Sequence, residues 1–528
     1  MDTKLLKQKI LDLAIHGKLV PQNPNDEPAS KLLEKIREEK QKLIAAKKIK
    51  ADKNDSYIYV GDDNRHYEKF ADGTVKDIED EIPFEVPEGW AWCRLGSVYE
   101  VNPRVIGEDE SLASFIPMEK IEANHANLFT YETDSWKIIK KNHTLFQDGD
   151  ICFAKISPCF ENGKAFIASN LVNGIGAGTT ELIVLRNELI EKKYTFYFLG
   201  CDSFVKDCCY TFNGVVGQQR ISSTFVKNHL FPLPPIEEQK RIVTEIEHSF
   251  TLINSLEKDK SDLQTAIKQA KSKILDLAIH GKLVPQDSSD EPASFLLEKL
   301  RAEKEAKIKA GELKRDKNDS YIYKNTTDNC YYEKFNGKDP VCIDEEIPFD
   351  IPENWQWTKL GRICTKLVDG DHNPPKGIEE KTDYIMASSR NINHNTVEDL
   401  GNVRYLTKEM FEIENQRTKA TEGDIFFTSV GTLGRSCIYD GSLNICFQRS
   451  VSILNTQIDK NYLKYFFDSN FYQDYVVEHA TGTAQLGFYL QEMSESYIAI
   501  PPISEQTRIV SKIEEMFERL DQIQCNLI

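Results

Sequence analysis

Two fourteen-residue stretches of this chain are the same letter for letter. Lys9 to Gln22 and Lys273 to Gln286 both read K-I-L-D-L-A-I-H-G-K-L-V-P-Q, 264 positions apart in a chain of 528 residues. The likeness resumes as Asp26 to Ser30 against Asp290 to Ser294, and as Asp52 to Tyr59 against Asp316 to Tyr323. It returns once more as Glu81 to Phe84 with Trp90 and Trp92, against Glu346 to Phe349 with Trp355 and Trp357. Self-similarity at one fixed period constrains a fold more tightly than composition does, because each copy must build the same unit. Between the copies the halves diverge. A constant frame therefore carries two different inserts, which implies one kind of task performed on two targets.

A long helical stretch precedes the second copy, bracketed by Pro235 and Pro285, both helix breakers. Apolar residues recur there at steps of four and three: Ile242, Ile246, Ile253, Leu256, Leu263, Ile267, Ala270, Ile274 and Leu277, interrupted by Ser249 and Lys260. A sustained heptad seam predicts a long packed helix, from about Glu237 to Val284. Leu6, Ile10 and Leu13 share the register at one end of the chain, and Ile509, Ile513, Met516, Leu520, Ile523 and Leu527 at the other. Aligned with the central stretch, the two terminal helices together reproduce it apart from Asp262, Leu263 and Gln264. The repeat is thus circular. The expected fold class is α+β: two mixed α/β inserts related by a pseudo-twofold, separated by an antiparallel pair of long coiled-coil helices, one continuous and one split.

The chain divides accordingly. Residues 1–80 are expected to form the N-terminal helix, a Lys- and Glu-rich helix read as an exposed arm, and a small hairpin at Tyr57 to Tyr59 and His66 to Phe70. Residues 81–235 are the first insert, with strands at Gly149 to Lys155 and Leu182 to Leu185, a glycine turn at Gly174 to Gly178, and one helix from Tyr194 to Asp207. The central helix takes 236–285, and the arm and hairpin return over 286–345. The second insert covers 346–502, where Gly423-Asp424-Ile425 answers Gly149-Asp150-Ile151 and Gly482 to Gln485 answers Gly214 to Gly217. The last helix, 503–528, closes the frame.

Net charge is −18, which argues against coating DNA by charge alone and leaves room for local basic faces and for a partner that supplies phosphate contacts. The 12 cysteines contain no C-x-x-C. Cys201, Cys208 and Cys209 fall at helical spacing and read as core, so a reducing cytoplasm is expected. No signal-peptide core opens the sequence, and no apolar run is long enough to predict a membrane span.

Two motifs recur in both halves, and two further patterns mark one insert each. P-x-x-E-Q leads into a long helix at Pro235 to Gln239 and at Pro502 to Gln506; W-x-W-x-x-L-G opens each insert at Trp90 to Gly96 and Trp355 to Gly361. Gly149 to Glu181, with Pro158, Glu161 to Lys164 and Thr180-Glu181, forms one insert pattern; Asp369 to His372 with Gly423 to Arg435 forms another. Over its whole length the chain resembles the specificity subunits of Type I restriction–modification enzymes. The resemblance implies a non-catalytic reader of double-stranded DNA. Two target recognition domains would each read one half of a split, asymmetric site. The helices would serve as spacer and as platform for two methyltransferase subunits, which restriction and translocase subunits join. S-adenosylmethionine, ATP and Mg2+ would belong to those partners, with no cofactor, metal or catalytic residue in this chain.

Two other readings are open. Asn373-Pro374-Pro375-Lys376 resembles the Asn-Pro-Pro-aromatic clamp of adenine methyltransferases, but Lys stands where the base-stacking ring belongs. No glycine-rich cofactor fingerprint follows a strand elsewhere, and no P-loop is present. The other reading is a coiled-coil scaffold with two protein-binding modules. If the chain reads DNA, polar and basic loop residues of the inserts are the candidates, because base edges are read by such groups. In the first insert these are Lys155, Lys164, Thr179, Gln218, Gln219 and Arg220; in the second they are His372, Lys376, Arg390, Asn391, Ser429, Arg435, Gln448 and Arg449.

Overall fold

The computed structural model describes residues 2–52, 55–214, 218–311, 319–393, 395–482 and 485–527. Met1 and Ile528, whose meeting the circular repeat requires, lie outside these residues, as do parts of the glycine loops Gly214 to Gly217 and Gly482 to Gln485. The chain forms two compact units, Met1–Asp259 and Lys260–Ile528.

In the first unit the helix Thr3–Ile15 starts where the Asp2 carboxylate accepts from the Leu5 N–H at 3.0 Å, a side-chain cap on an otherwise unpaired donor. It stops at Gly17, whose φ of +64° suits glycine. Leu11, Ala14 and Ile15 are its buried face. The arm helix Ala29–Ala45 is not the solvated arm expected from its charge. Ala29, Leu32 and Ile36 fall on one face and join the core, while Lys and Glu occupy the other. Strands Ser56–Val60 and His66–Phe70 pair antiparallel as expected, and Val75–Asp77 adds a third.

Each insert leaves and returns on one two-stranded ladder. Ala91–Arg94 pairs antiparallel with Leu230–Leu233, placing Ala91 opposite Leu233. In the second unit Gln356–Lys359 pairs with Tyr497–Ile500, placing Gln356 opposite Ile500. The insert between can therefore change without moving its attachment points.

The two inserts share an architecture that their sequences hide. The first holds a sheet ordered Ala165–Ile167, Ile151–Ala154, Leu182–Arg186, Glu100–Val101 and another ordered Glu132–Ser135, Leu112–Ile116, Ile175–Gly178, Thr144–Gln147. The second holds Cys364–Asp369, Val451–Thr456, Ile425–Thr428, Ser436–Ile438, and a three-stranded sheet of Arg404–Tyr405, Tyr384–Ala387 and Asn444–Phe447. The Gly-Asp pair works alike in both. Gly149 and Gly423 adopt φ of +92° and +80°. The buried Asp150 takes the Arg186 guanidinium at 2.6 and 2.7 Å, and the buried Asp424 takes the Lys366 ammonium at 2.5 Å.

Two local expectations change. Gly174 to Gly178 is not a turn: Ile175–Gly178 is a buried strand. Its glycines make room for the Phe146 ring, which a Cβ on Gly176 would meet at 2.6 Å. The expected Tyr194 to Asp207 helix is two, Lys192–Leu199 and Asp202–Tyr210, separated at Gly200-Cys201. Cys201 and Cys208 are buried, as their spacing implied.

The central helix runs Ile236–Ile279, 44 residues, ending five short of the expected Val284 because Gly281 turns at φ +66°. Its seam is dry only in part. Ile242, Ile246 and Ile253 are buried in the first unit, Ile267 and Ile274 in the second. Leu277 is half-buried, while Leu256 is 52% and Leu263 40% exposed. At the chain's start Leu6 is exposed and Ile10 and Leu13 are half-buried, because Leu11, Ala14 and Ile15 face the core instead. At its end Ile509 and Ile513 are fully buried, Leu520 half-buried and Ile523 exposed. Near the inserts these helices bury a stripe wider than two heptad positions, with Val243, Leu275, Ala278 and Val510 included. That is how a helix packs on a globular core rather than on one partner helix.

Candidate nucleic-acid interface

The P-x-x-E-Q motif fixes each long helix to its insert. Gln239 is buried; its amide donates to the Pro234 carbonyl at 2.8 Å, and its oxygen accepts from the Glu191 N–H at 2.9 Å. Gln506 repeats this with Pro501 at 2.9 Å and Asp459 at 3.0 Å. Glu191 and Asp459 are the caps of Lys192–Leu199 and Lys460–Asp468. The motif therefore serves the frame.

In the first insert the candidates gather around Glu181. The Arg220 guanidinium holds it through a two-pronged pair, 2.9 Å at both prongs, and so keeps this carboxyl below its ordinary range, against the opposing effect of burial. The Lys155 N–H donates to the Glu181 carbonyl at 2.8 Å, and the Lys155 ammonium adds to the field on the same side chain. Thr179 accepts from the Glu181 N–H at 3.2 Å. Gln218 accepts from Arg220 through its carbonyl at 2.8 Å, and Gln219 receives the Ser157 N–H at 2.8 Å. Five of the six candidates thus converge. Lys164 does not: its ammonium donates to the Met118 carbonyl at 2.7 Å and is spent on the fold.

In the second insert, loops from four strand ends meet. Asp371 bridges to Gln448, the Gln448 N–H donates to Ala387 at 3.1 Å, and the Ser389 N–H reaches Ser450 Oγ at 3.0 Å. Val430 bridges to Gly487, and a Cβ on Gly431 would stand 2.9 Å from Gln485 Nε2. Lys376, Arg390 and Arg449 are exposed there, with Arg435 and Gln448 half-buried. His372 is exposed and pairs with Asp369 at 2.7 Å. Burial opposes ionisation of Asp369, but hydrogen bonds from Arg417 and His372 outweigh it and lower its pKa.

Two candidates are corrected. Asn391 is fully buried: its oxygen accepts from the Ser388 N–H at 3.0 Å, and its amide donates to Glu398 and Asp399 carbonyls at 3.3 and 3.1 Å. Ser429 is 2% exposed and hydrogen-bonds Ser452. Both hold loops and present nothing outward. Gln485, exposed beside Gly431, was missed; its only sequence signal is its place after a glycine matching Gly214. The Asn-Pro-Pro segment forms no clamp, since Arg404 takes the Pro374 and Pro375 carbonyls at 3.4 and 2.7 Å. Among the described residues, no helix is long and apolar enough to cross a membrane.

Comparison with known proteins agrees with this geometry. The family model described as "Type I restriction modification DNA specificity domain" matches residues 87–264 and 352–527, once over each insert and the helix after it. The Type I restriction enzyme EcoAI specificity subunit of Escherichia coli is 31% identical, across 98% of this chain and 90% of its own. The EcoEI specificity subunit of the same species is 30% identical, across 99% and 90%. A solved structure titled for complex assembly and conformational transition of the type I R-M system aligns with a TM-score of 0.55 at 16% identity, across 84% of this chain and 94% of that one; it bears on the fold alone. This chain belongs to the family of Type I restriction–modification specificity subunits.

Proposed function

We propose that the chain is the non-catalytic DNA-reading subunit of a Type I restriction–modification complex. One observation carries the reading: each family match spans an insert that leaves and returns on adjacent strands of a constant frame. Such a frame accepts different readers at identical mounts. On this reading 81–235 and 346–502 are target recognition domains, each reading half of a split, asymmetric site in duplex DNA. The remaining segments, 1–80, 236–285, 286–345 and 503–528, form the spacer and the platform for two methyltransferase subunits. The long helices act as an antiparallel pair, and the repeat is circular. Restriction and translocase subunits complete the cytoplasmic assembly, and S-adenosylmethionine, ATP and Mg2+ act there. The inserts supply groups suited to base edges: Arg, Gln and Lys on loops at strand ends.

The test is to map methylated sites in a host carrying this chain with its methyltransferase, before and after exchanging the segment between Lys359 and Tyr497 for another insert. One half-site should change and the other stay. Change in both, or turnover of S-adenosylmethionine by the purified chain alone, would sink the reading.

A further inference from the structure

The frame repeats, but one site on it is filled in the second unit and open in the first. In the second unit the Phe471 ring sits edge-on between two aromatics, 5.1 Å from Phe349 at 85° and 6.0 Å from Phe466 at 83°. It packs against the core as part of the helix Asn470–Glu478. The equivalent positions in the first unit are Phe84 and Phe198, and the position of Phe471 is held by Ser203, which is exposed. Phe84, Phe198 and Ser203 line a cleft of about 480 Å³ there, floored by Trp92 and Leu230.

A second cleft, of about 830 Å³, adjoins the first at Ile15 and Ser203 and runs along Thr3–Ile15. Leu5 stands on it, 66% exposed, where the second copy of the frame has the polar Gln269. Tyr210, 88% exposed, lines the first cleft from the other side. Exposed large apolar side chains grouped on one face mark contact surfaces more often than chance exposure does. The surroundings carry a sign as well: five carboxylates line the two clefts, Asp202 and Asp207 among them, against three Lys and Arg side chains.

We propose that the cleft at Ser203 is a docking site for a partner polypeptide that inserts an aromatic side chain between Phe84 and Phe198, with a basic residue beside it. Phe471 shows which group this frame accepts, and the acidic surroundings select the neighbour. The two halves then differ in function beyond the bases they read. The first unit recruits this segment and the second, plugged by its own Phe471, does not.

The probe is N-acetyl-Phe-Arg-amide at millimolar concentration, with saturation transfer from the full-length chain read on the ring protons by NMR. Transfer should occur with the native chain and with Ser203→Ala, which leaves the cleft open. It should fall at least fivefold with Ser203→Phe, which copies the plug at an exposed helix position. N-acetyl-Ala-Arg-amide, read on its alanine methyl protons, should receive none. The proposal is overturned if the native chain gives no ring transfer, or if Ser203→Phe keeps it. It is also overturned if phenylacetate binds as well as the peptide, which would make the occupant a small aromatic acid. The last such outcome is a concentration-dependent dimer of the native chain that Ser203→Phe abolishes, making the occupant a second copy.

Discussion

The indole Nε1 of Trp355 donates to Oε2 of Glu505 at 3.0 Å, joining residues 150 positions apart at the point where the second insert meets its long helix. Gln286 donates to the other oxygen of the same carboxylate at 2.6 Å. Burial pushes the Glu505 pKa up, and these two donors pull it back without cancelling the rise. A carboxyl whose folded pKa lies above its unfolded value binds protons more readily when folded. Its charged form therefore costs stability above the folded pKa, and the cost is relieved as pH falls through that value towards the unfolded one. The stability of the native chain relative to Glu505→Gln, which cannot titrate, should accordingly rise between pH 7 and pH 5. Urea midpoints of both proteins at the two pH values check this; a constant difference, or one that shrinks, contradicts it.

Gln506→Leu should cost about 1–3 kcal/mol, because the Pro501 carbonyl and the Asp459 N–H lose their partner in a dry site. Gln239→Leu should cost about the same, since Pro234 and Glu191 stand in the same geometry. Urea unfolding measures both. A near-zero cost for either would mean that the motif's glutamine does not anchor the helix.

The frame was legible in the sequence because identical residues at a fixed offset must build identical structure, and both glutamine motifs fall where the structure uses them; of the two helix breakers, Pro235 stands just before the central helix, whereas Gly281 ends that helix ahead of Pro285. The wet and dry parts of the seam were not. Heptad spacing places Leu256 and Leu263 with Ile253 and Ile267, yet only the isoleucines are buried, since burial depends on what faces the helix. The face of Thr3–Ile15 was misassigned for the same reason: Leu11, Ala14 and Ile15 join the core that also holds Tyr194 and Leu199 of the insert, which periodicity within one helix cannot announce. At the candidate interface, polarity singled out Arg220 and Arg449, which are exposed, together with Asn391 and Ser429, which are buried. A polar residue in a loop either faces out or holds the loop together, and composition is the same in both cases.

Arg220 meets Glu181 at 2.9 Å through both prongs, so contact with a guanine edge requires exchanging one acceptor for another. Arg220→Ala should relax readout in one half-site by roughly 1–3 kcal/mol and leave the other half-site unchanged. Glu181→Gln should release Arg220 and raise affinity for DNA of any sequence, with a steeper dependence on salt. Fluorescence anisotropy of the assembled complex on matched and mismatched duplexes at two salt concentrations reads both effects. Loss of discrimination in both half-sites with Arg220→Ala would contradict separate readers.

In the second insert, Arg449→Ala and Arg435→Ala should each weaken the opposite half-site from Arg220→Ala, by about tenfold or more, since 1.4 kcal/mol is a factor of ten. Asn391→Ala should act differently. It removes the hydrogen bonds that hold Ser388 to Asp399 together, so it should lower the unfolding midpoint as well as binding. Methylation kinetics and urea midpoints measured on the same preparations separate the two cases. A binding defect in Asn391→Ala without any loss of stability would return that residue to the list of readers.

The central helix should set the distance between half-sites while the inserts set the bases. Its 44 residues span about 66 Å at roughly 1.5 Å per residue, more than the roughly 34–36 Å that separates half-sites one DNA turn apart. Leu256 and Leu263 are exposed, so the stretch between them tolerates added residues with little lost packing. Seven residues inserted there keep the heptad phase and lengthen the helix by about 10 Å. On the proposed antiparallel pairing the split helix is not lengthened, so bowing would absorb part of the gain. The expected result is a non-specific spacer longer by one to about three base pairs, at about 3.4 Å per base pair, with the same bases read on either side. Methylome sequencing of the insertion variant is the measurement. An unchanged spacer would mean that the helix is not the ruler, and new half-site bases would mean that it reaches into the inserts' reading loops.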